Sequence, residues 1–200
     1  MDHSYIHQIV VEVLKGQTEK FEIIVQRYEK PIFLYCYHML GHRTEAEDSG
    51  QEVFLKAYRS LDKFKPDLSL EAWLYKIAYN QCIDVIRKRK LTRYLPFFYR
   101  KDQENAHVDL AIEANYFDEY VLKAMSRLSA EERNLLILRC VEDKSYEEIS
   151  QILQRNSPSL RKKYERTAAK FRNYYALAKG DDPREKGVQQ RRSGSEKTFS

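Results

Sequence analysis

The stretch Glu71-Ala-Trp-Leu-Tyr-Lys-Ile-Ala-Tyr-Asn-Gln-Cys-Ile-Asp-Val-Ile-Arg-Lys-Arg-Lys90 decides how this chain is read. Trp73, Leu74, Ile77, Ala78, Ile83 and Ile86 recur at helical spacing, which predicts a helix with one buried stripe. Its far end is an unbroken basic run. Aromatic faces stack on bases and basic side chains neutralise phosphates, so a helix with both suits nucleic acid, and DNA that is opened rather than only gripped. Trp73, the only tryptophan, is expected in the core rather than against a base. Tyr75, Lys76, Tyr79, Asn80, Asp84, Arg87 and Lys88 are expected on the exposed side, where Asn reads a base edge, Tyr stacks, and Lys or Arg holds backbone.

The chain has 200 residues, which suits one large or two small domains, and a formal net charge of +5. That excess is modest, but its clustering is informative. Arg87, Lys88, Arg89, Lys90, Arg93, Arg100 and Lys101 contain no acid among them, and Arg155, Arg161, Lys162, Lys163, Arg166, Lys170 and Arg172 are opposed only by Glu165. Two separated basic patches predict two contacts on one long polyanion; the plainer reading is two solvated helix faces. Cys36, Cys82 and Cys140 form no CxxC pair, so each is expected to be a buried thiol in a reducing cytoplasm. His38 and His42 lack a metal-binding frame, no phosphate-cradling glycine loop exists, and no catalytic set is organised. No cofactor, metal or small-molecule substrate is expected. The N-terminus lacks an apolar signal core, so a soluble cytoplasmic protein is expected.

Glycine and proline are scarce and helical periodicity is widespread, so the fold class is all-α: two small helical domains joined by a flexible linker, the second a helix-turn-helix. The expected division is residues 1–91, a linker over 92–115, a second domain over 116–178 and a disordered tail over 179–200. In the first domain the expected helices are 4–14, then 19–28 capped by Thr18, then 31–40 started by Pro31 and stopped by Gly41. A further helix capped by Thr44 runs through Tyr58, residues 62–69 form a loop, and Ser69 caps the helix of the opening stretch. The linker aromatics Tyr94, Phe97, Phe98 and Tyr99 lie against either a partner or the chain's own domains. In the second domain, Ser129 with Glu132 and Ser145 with Glu148 are capping boxes. The second starts a short helix, Tyr146 to Leu153; a turn leads to Ser157-Pro158 and a long basic helix.

On that long helix, Leu160, Tyr164, Thr167, Ala168 and Phe171 are expected to face the core. Ser159, Arg161, Lys162, Lys163, Arg166 and Lys170 then face outward, the first of them where a recognition helix meets base edges and the later ones where phosphates lie. The acidic helix Glu45-Ala-Glu-Asp-Ser-Gly-Gln-Glu-Val-Phe54 would repel phosphate, so it points to water or to a basic protein partner.

Read together, Tyr35-Cys-Tyr-His-Met-Leu-Gly41, Ala46-Glu-Asp-Ser-Gly-Gln-Glu-Val-Phe54, Ala72-Trp-Leu-Tyr-Lys-Ile-Ala-Tyr-Asn80, Asp84-Val-Ile-Arg87, Leu128-Ser-Ala-Glu-Glu-Arg133 and Tyr146-Glu-Glu-Ile149, followed by the basic helix, resemble the extracytoplasmic-function group of bacterial sigma factors. The resemblance covers most of the chain. It implies that Asp48, Gln51 and Glu52, with Phe54 and Leu55 beside them, bind the clamp-helix region of core RNA polymerase. It implies that the loop at Phe64 and the following helix capture the melted minus-ten element, and that the helix-turn-helix reads the minus-thirty-five element. It also implies an anti-sigma factor, membrane-anchored in many members, and no catalysed reaction. Two departures stand out. Ser49-Gly50 replaces residues of which the first is usually apolar, and Pro158-Ser-Leu-Arg161 replaces a Gly-Thr-Val-Lys-like start of the recognition helix. A stand-alone helix-turn-helix regulator is the alternative, but it leaves the acidic helix and the aromatic-then-basic helix unexplained. An enzyme acting on nucleic acid lacks a catalytic set.

Overall fold

The computed structural model describes residues 3–65, 69–93 and 119–180. Thr92 and Arg93, expected to open the linker, belong to the last helix of the first domain; the rest of the linker, its aromatics and the tail beyond Gly180 lie outside the described residues. Among the described residues the regular elements are all helical: α1 (His3–Leu14), α2 (Phe21–Leu40), α3 (Arg43–Arg59), α4 (Leu70–Arg93), α5 (Glu119–Ser126), α6 (Ala130–Leu136), α7 (Tyr146–Leu153) and α8 (Ser157–Ala178), with short 3-10 turns before α2 and after α3. The all-α reading holds. No described helix is long and apolar enough to cross a membrane.

The first domain departs from expectation at Pro31. The two expected helices are one, α2, with Pro31 inside it. A proline within a helix loses a backbone hydrogen bond and costs about 3 kcal/mol. Burial outweighs that cost here. Ile24, Tyr28, Ile32, Tyr35 and Met39 form one continuous buried stripe across the proline, and each such side chain gains roughly 1.5–3 kcal/mol when removed from water. The caps also shift. Thr18 lies in the 3-10 turn that precedes α2, and Lys20 stands at the N-cap. The N-cap of α3 is His42, whose Nδ1 accepts the Glu45 N–H, rather than Thr44. Gly41 does end α2, in the left-handed region at φ 64°, with its N–H on the Tyr37 carbonyl. Ser69 accepts the Ala72 N–H at the start of α4, as its sequence suggests.

The second domain follows its local signals closely. Both capping boxes form, Ser129 with Glu132 and Ser145 with Glu148. Between them, α6 runs into a π-turn over Ile137–Val141. Gln154 takes a left-handed conformation at φ 53° and ends α7. The cap of α8 is Asn156, one residue earlier than the expected Ser157, and the Ser157 hydroxyl instead donates to the Tyr146 carbonyl. Cys36 and Cys82 are buried, but Cys140 is exposed, its Sγ 3.3 Å from the Tyr164 hydroxyl. The π-turn rotates Cys140 away from the core that Ile137 and Leu138 fill.

The two domains share one apolar core, and buried polar contacts join them. The Tyr35 hydroxyl donates to Asn134 Oδ1 at 2.8 Å, and Arg133 donates to the Met39 carbonyl and, at 3.2 Å, to the Met125 carbonyl. Tyr75 donates to Glu142 at 2.5 Å, and Lys144 reaches Glu71 at 2.8 Å.

Removing the Tyr35 hydroxyl leaves Asn134 buried without this donor. Tyr35→Phe should therefore lower unfolding free energy by about 1–3 kcal/mol in urea titration. Adding Asn134→Leu should recover most of the loss; a double variant weaker than the single one would show that the pair does not act as a unit. His38 gives a pH test. Burial lowers its pKa from 6.5 to about 4, so it folds uncharged. The unfolded chain takes the proton first as pH falls, so this part of the stability is complete above about 6.5 and is lost towards pH 4. The stability of the native chain relative to a His38→Phe variant should fall across that window and stay level above it. An unchanged difference would place the acid sensitivity elsewhere.

Candidate polymerase and promoter surfaces

Three surfaces carry the expected site residues. The first is a groove of about 770 Å³ between α2 and α3. Its apolar floor comes from Phe21, Val25, Phe33, Phe54, Leu55 and Tyr58, its rim from Glu19, Glu22, Glu29 and Glu47, and no Lys or Arg lines it among the described residues. Gln51 and Leu55 are exposed along the groove, and Leu55 keeps about half of its surface in water. Phe54 is buried beneath it, while Asp48 is exposed and Glu52 half-buried on the adjoining face of α3. Glu47 is engaged by Arg43 at 2.9 Å and Glu22 by Gln26 at 2.9 Å, which order two of the rim carboxylates. The α2 wall was not anticipated. Its signal is a second apolar line, Phe21, Val25 and Phe33, offset from the stripe that packs inward.

The second surface is α4. Asn80, Arg87 and Lys88 are exposed, and Lys76, Tyr79 and Asp84 are half-buried. Asp84 pairs with Arg87 at 3.5 Å. Two expectations are corrected. Tyr75 is buried, not exposed: it stacks edge-on against Tyr35 with ring centroids 5.2 Å apart and donates to Glu142. Burial, reinforced by the Glu142 hydrogen bond, pushes its hydroxyl pKa up, so it stays a donor. Phe64 is also buried, packed on His7 and Trp73. Trp73 is half-buried, with its ring 5.4 Å from that of Phe64, and so anchors the loop that precedes α4. Within the basic run, Arg89 turns inward to Glu45 and to the Leu40 carbonyl at 2.9 Å.

The third surface is α8. Leu160 and Thr167 are buried and Tyr164, Ala168 and Phe171 pack beside them, which is the expected inner face. Ser159, Arg161, Lys162, Arg166 and Lys170 are exposed. Lys163 is corrected to a flanking position: half-buried, it meets Glu131 at 2.6 Å. Glu131 also takes Arg155 at 2.9 Å, and Glu132 takes Lys170 at 2.6 Å. The Lys170 pair lowers the Glu132 pKa, so that carboxylate remains charged. Arg161 faces Glu165 at 3.8 Å, and Arg166 donates to the Lys162 carbonyl. On the exposed side of α8, Ser159, Arg161, Lys162 and Arg166 lie near its start. The three surfaces differ in charge: carboxylates line the groove, while the end of α4 and the start of α8 carry cations.

Comparison with known proteins supplies a family with this arrangement. A Sigma-70 region 2 model matches residues 24–92, and a Sigma-70 region 4 model matches residues 118–171. The ECF RNA polymerase sigma factor SigW of Bacillus subtilis is 33% identical, over 74% of this chain and 84% of its own length. The RNA polymerase sigma-H factor of Pseudomonas aeruginosa is 31% identical, over 74% and 81%. Among solved structures, CnrH in complex with the cytosolic domain of CnrY has the same fold, with TM-score 0.61 and 23% identity over 90% of this chain and all of that one. The sigma factor RpoE of Bartonella quintana, in complex with the anti-sigma factor NepR, has TM-score 0.58 and 20% identity over 78% and 96%. The chain belongs to the extracytoplasmic-function group of RNA polymerase sigma factors and directs transcription initiation.

Proposed function

We propose that the groove between α2 and α3 is where this sigma factor holds core RNA polymerase, through Asp48, Gln51, Glu52, Phe54 and Leu55 together with the α2 wall. The observation that carries this reading is the groove itself: an apolar floor, a carboxylate rim and no lining Lys or Arg. That surface repels DNA and complements a basic amphipathic helix. The minus-ten element is held by Lys76, Tyr79, Asn80, Asp84, Arg87 and Lys88. Tyr75 and Phe64 leave that set because they pack inside. The minus-thirty-five element is read by Ser159, Arg161, Lys162 and Arg166, while Lys163 and Lys170 anchor α8 to α6. The protein catalyses no reaction alone; it works in the cytoplasm, with residues 1–91 and 116–178 as its two domains. That solved proteins of this fold are held by CnrY or NepR supports an anti-sigma factor as a further partner.

Promoter-specific transcription with purified core polymerase tests the whole reading; tight duplex binding without polymerase dependence favours a stand-alone regulator. Gln51→Ala combined with Glu52→Ala should weaken polymerase binding by roughly tenfold or more in a titration. Unchanged affinity would move the polymerase site off α3. Arg161→Ala with Lys162→Ala should cost about 1–3 kcal/mol per lost base contact at the minus-thirty-five element, with polymerase affinity intact. Equal loss of both activities would indicate a damaged fold instead.

A further inference from the structure

Gly50 is a glycine that nothing inside the protein explains. It lies within α3, in ordinary right-handed backbone, and is itself buried. Glycines in such positions usually mark close helix packing, where a side chain would collide. Here a Cβ added to Gly50 would meet no atom within 4 Å. The backbone is covered by its neighbours, yet the space ahead of the missing side chain is empty. That space belongs to the groove between α2 and α3, which Gly50 lines beside Gln51 and Phe54. Glycine in a helix interior is the least favourable residue after proline, because the unfolded chain loses most freedom there. The helix thus forgoes stability to keep a notch open in the groove.

We infer that the notch at Gly50 is a specificity-determining socket, which receives one apolar side chain from a basic helix of core polymerase. The inference rests on the groove being the polymerase site. Three features define the occupant. The notch lies among apolar side chains, so the inserted group is apolar. Glu22, Glu29 and Glu47 line the same groove, so the helix that carries the group is basic beside it. The missing Cβ lets that helix approach the α3 backbone more closely than any other residue would permit, which concentrates binding energy at a desolvated centre.

The inference predicts opposite signs for stability and binding. Gly50→Ala places a methyl group in open space and raises helix propensity, so the melting temperature should rise by about 2–4 °C. The same methyl group partly fills the socket, so the dissociation constant for core polymerase should increase about tenfold. Gly50→Leu should retain the native melting temperature or exceed it, and weaken binding further. Leu55→Ala, measured beside them, separates the two levels of the reading. If Leu55→Ala weakens binding while Gly50→Ala and Gly50→Leu bind like the native chain, the groove is the polymerase site and the socket is refuted. If none of the three weakens binding, the groove assignment itself fails. A lowered melting temperature in Gly50→Ala would also overturn the inference, because the glycine would then serve internal packing.

Discussion

The end of α2 is the point on which the structure turns. The last carbonyls of any helix lack partners within it, and burying them unpaired is costly. Here that end is buried, at Met39 and Leu40. Three donors converge on it, one local and two from distant parts of the chain: the Gly41 N–H takes the Tyr37 carbonyl, Arg89 from α4 takes that of Leu40, and Arg133 from α6 takes that of Met39. A guanidinium presents five donors in a rigid fork, so each arginine can serve a second acceptor as well. Arg89 also holds Glu45 at the start of α3, and Arg133 holds the Met125 carbonyl at the end of α5. One helix terminus thereby fixes the angle of α3, the far end of α4 and the seat of the second domain.

This constraint also explains the division of charge. Arg89 and Arg133 are spent on structure, and neither is available to DNA. What remains exposed is sorted by element. The groove side of α2 and α3 keeps carboxylates and excludes cations, whereas the end of α4 and the start of α8 keep cations. Electrostatic sorting of this kind acts on encounter and orientation more than on final affinity. A polyanion is steered to α4 and α8 and away from α3, and a basic helix is steered the opposite way. The Lys163–Glu131 and Lys170–Glu132 ion pairs, which tie α8 to α6, neutralise part of the charge on α8.

Legibility from sequence followed the range of the interactions. In the second domain both capping boxes and the proline in the first turn of α8 are legible because they are local chemistry, whereas the Asn156 cap and the π-turn are not. Pro31 misled for the same reason: its local meaning is a helix start, and only the apolar stripe continuing in phase from Ile24 to Met39 reveals one helix. Thr44 is a better intrinsic cap than His42, yet the chain turns at Gly41 and brings the His42 ring onto the Glu45 N–H. Tyr75 is misread because its partners, Tyr35 and Glu142, come from far along the chain, and Cys140 because it falls in a π-turn where regular helical spacing no longer applies. Gly50 was noticed as a departure, but its meaning needed the second wall of the groove.

The contact between the domains combines a shared apolar core with a set of polar links. Its specific links are polar: Tyr35 with Asn134, Arg133 with Met39, Tyr75 with Glu142 and Lys144 with Glu71. Each such link replaces bonds to water, so its net worth is about 1 kcal/mol rather than the gross strength of the bond. Burial raises the Glu142 pKa, which marks a carboxylate kept in place at a cost. Tyr75 of α4 is buried in this contact, and Tyr79, one turn on, is half-buried. The shared apolar core excludes water, and the polar links fix the register in which the second domain sits on α2 and α4.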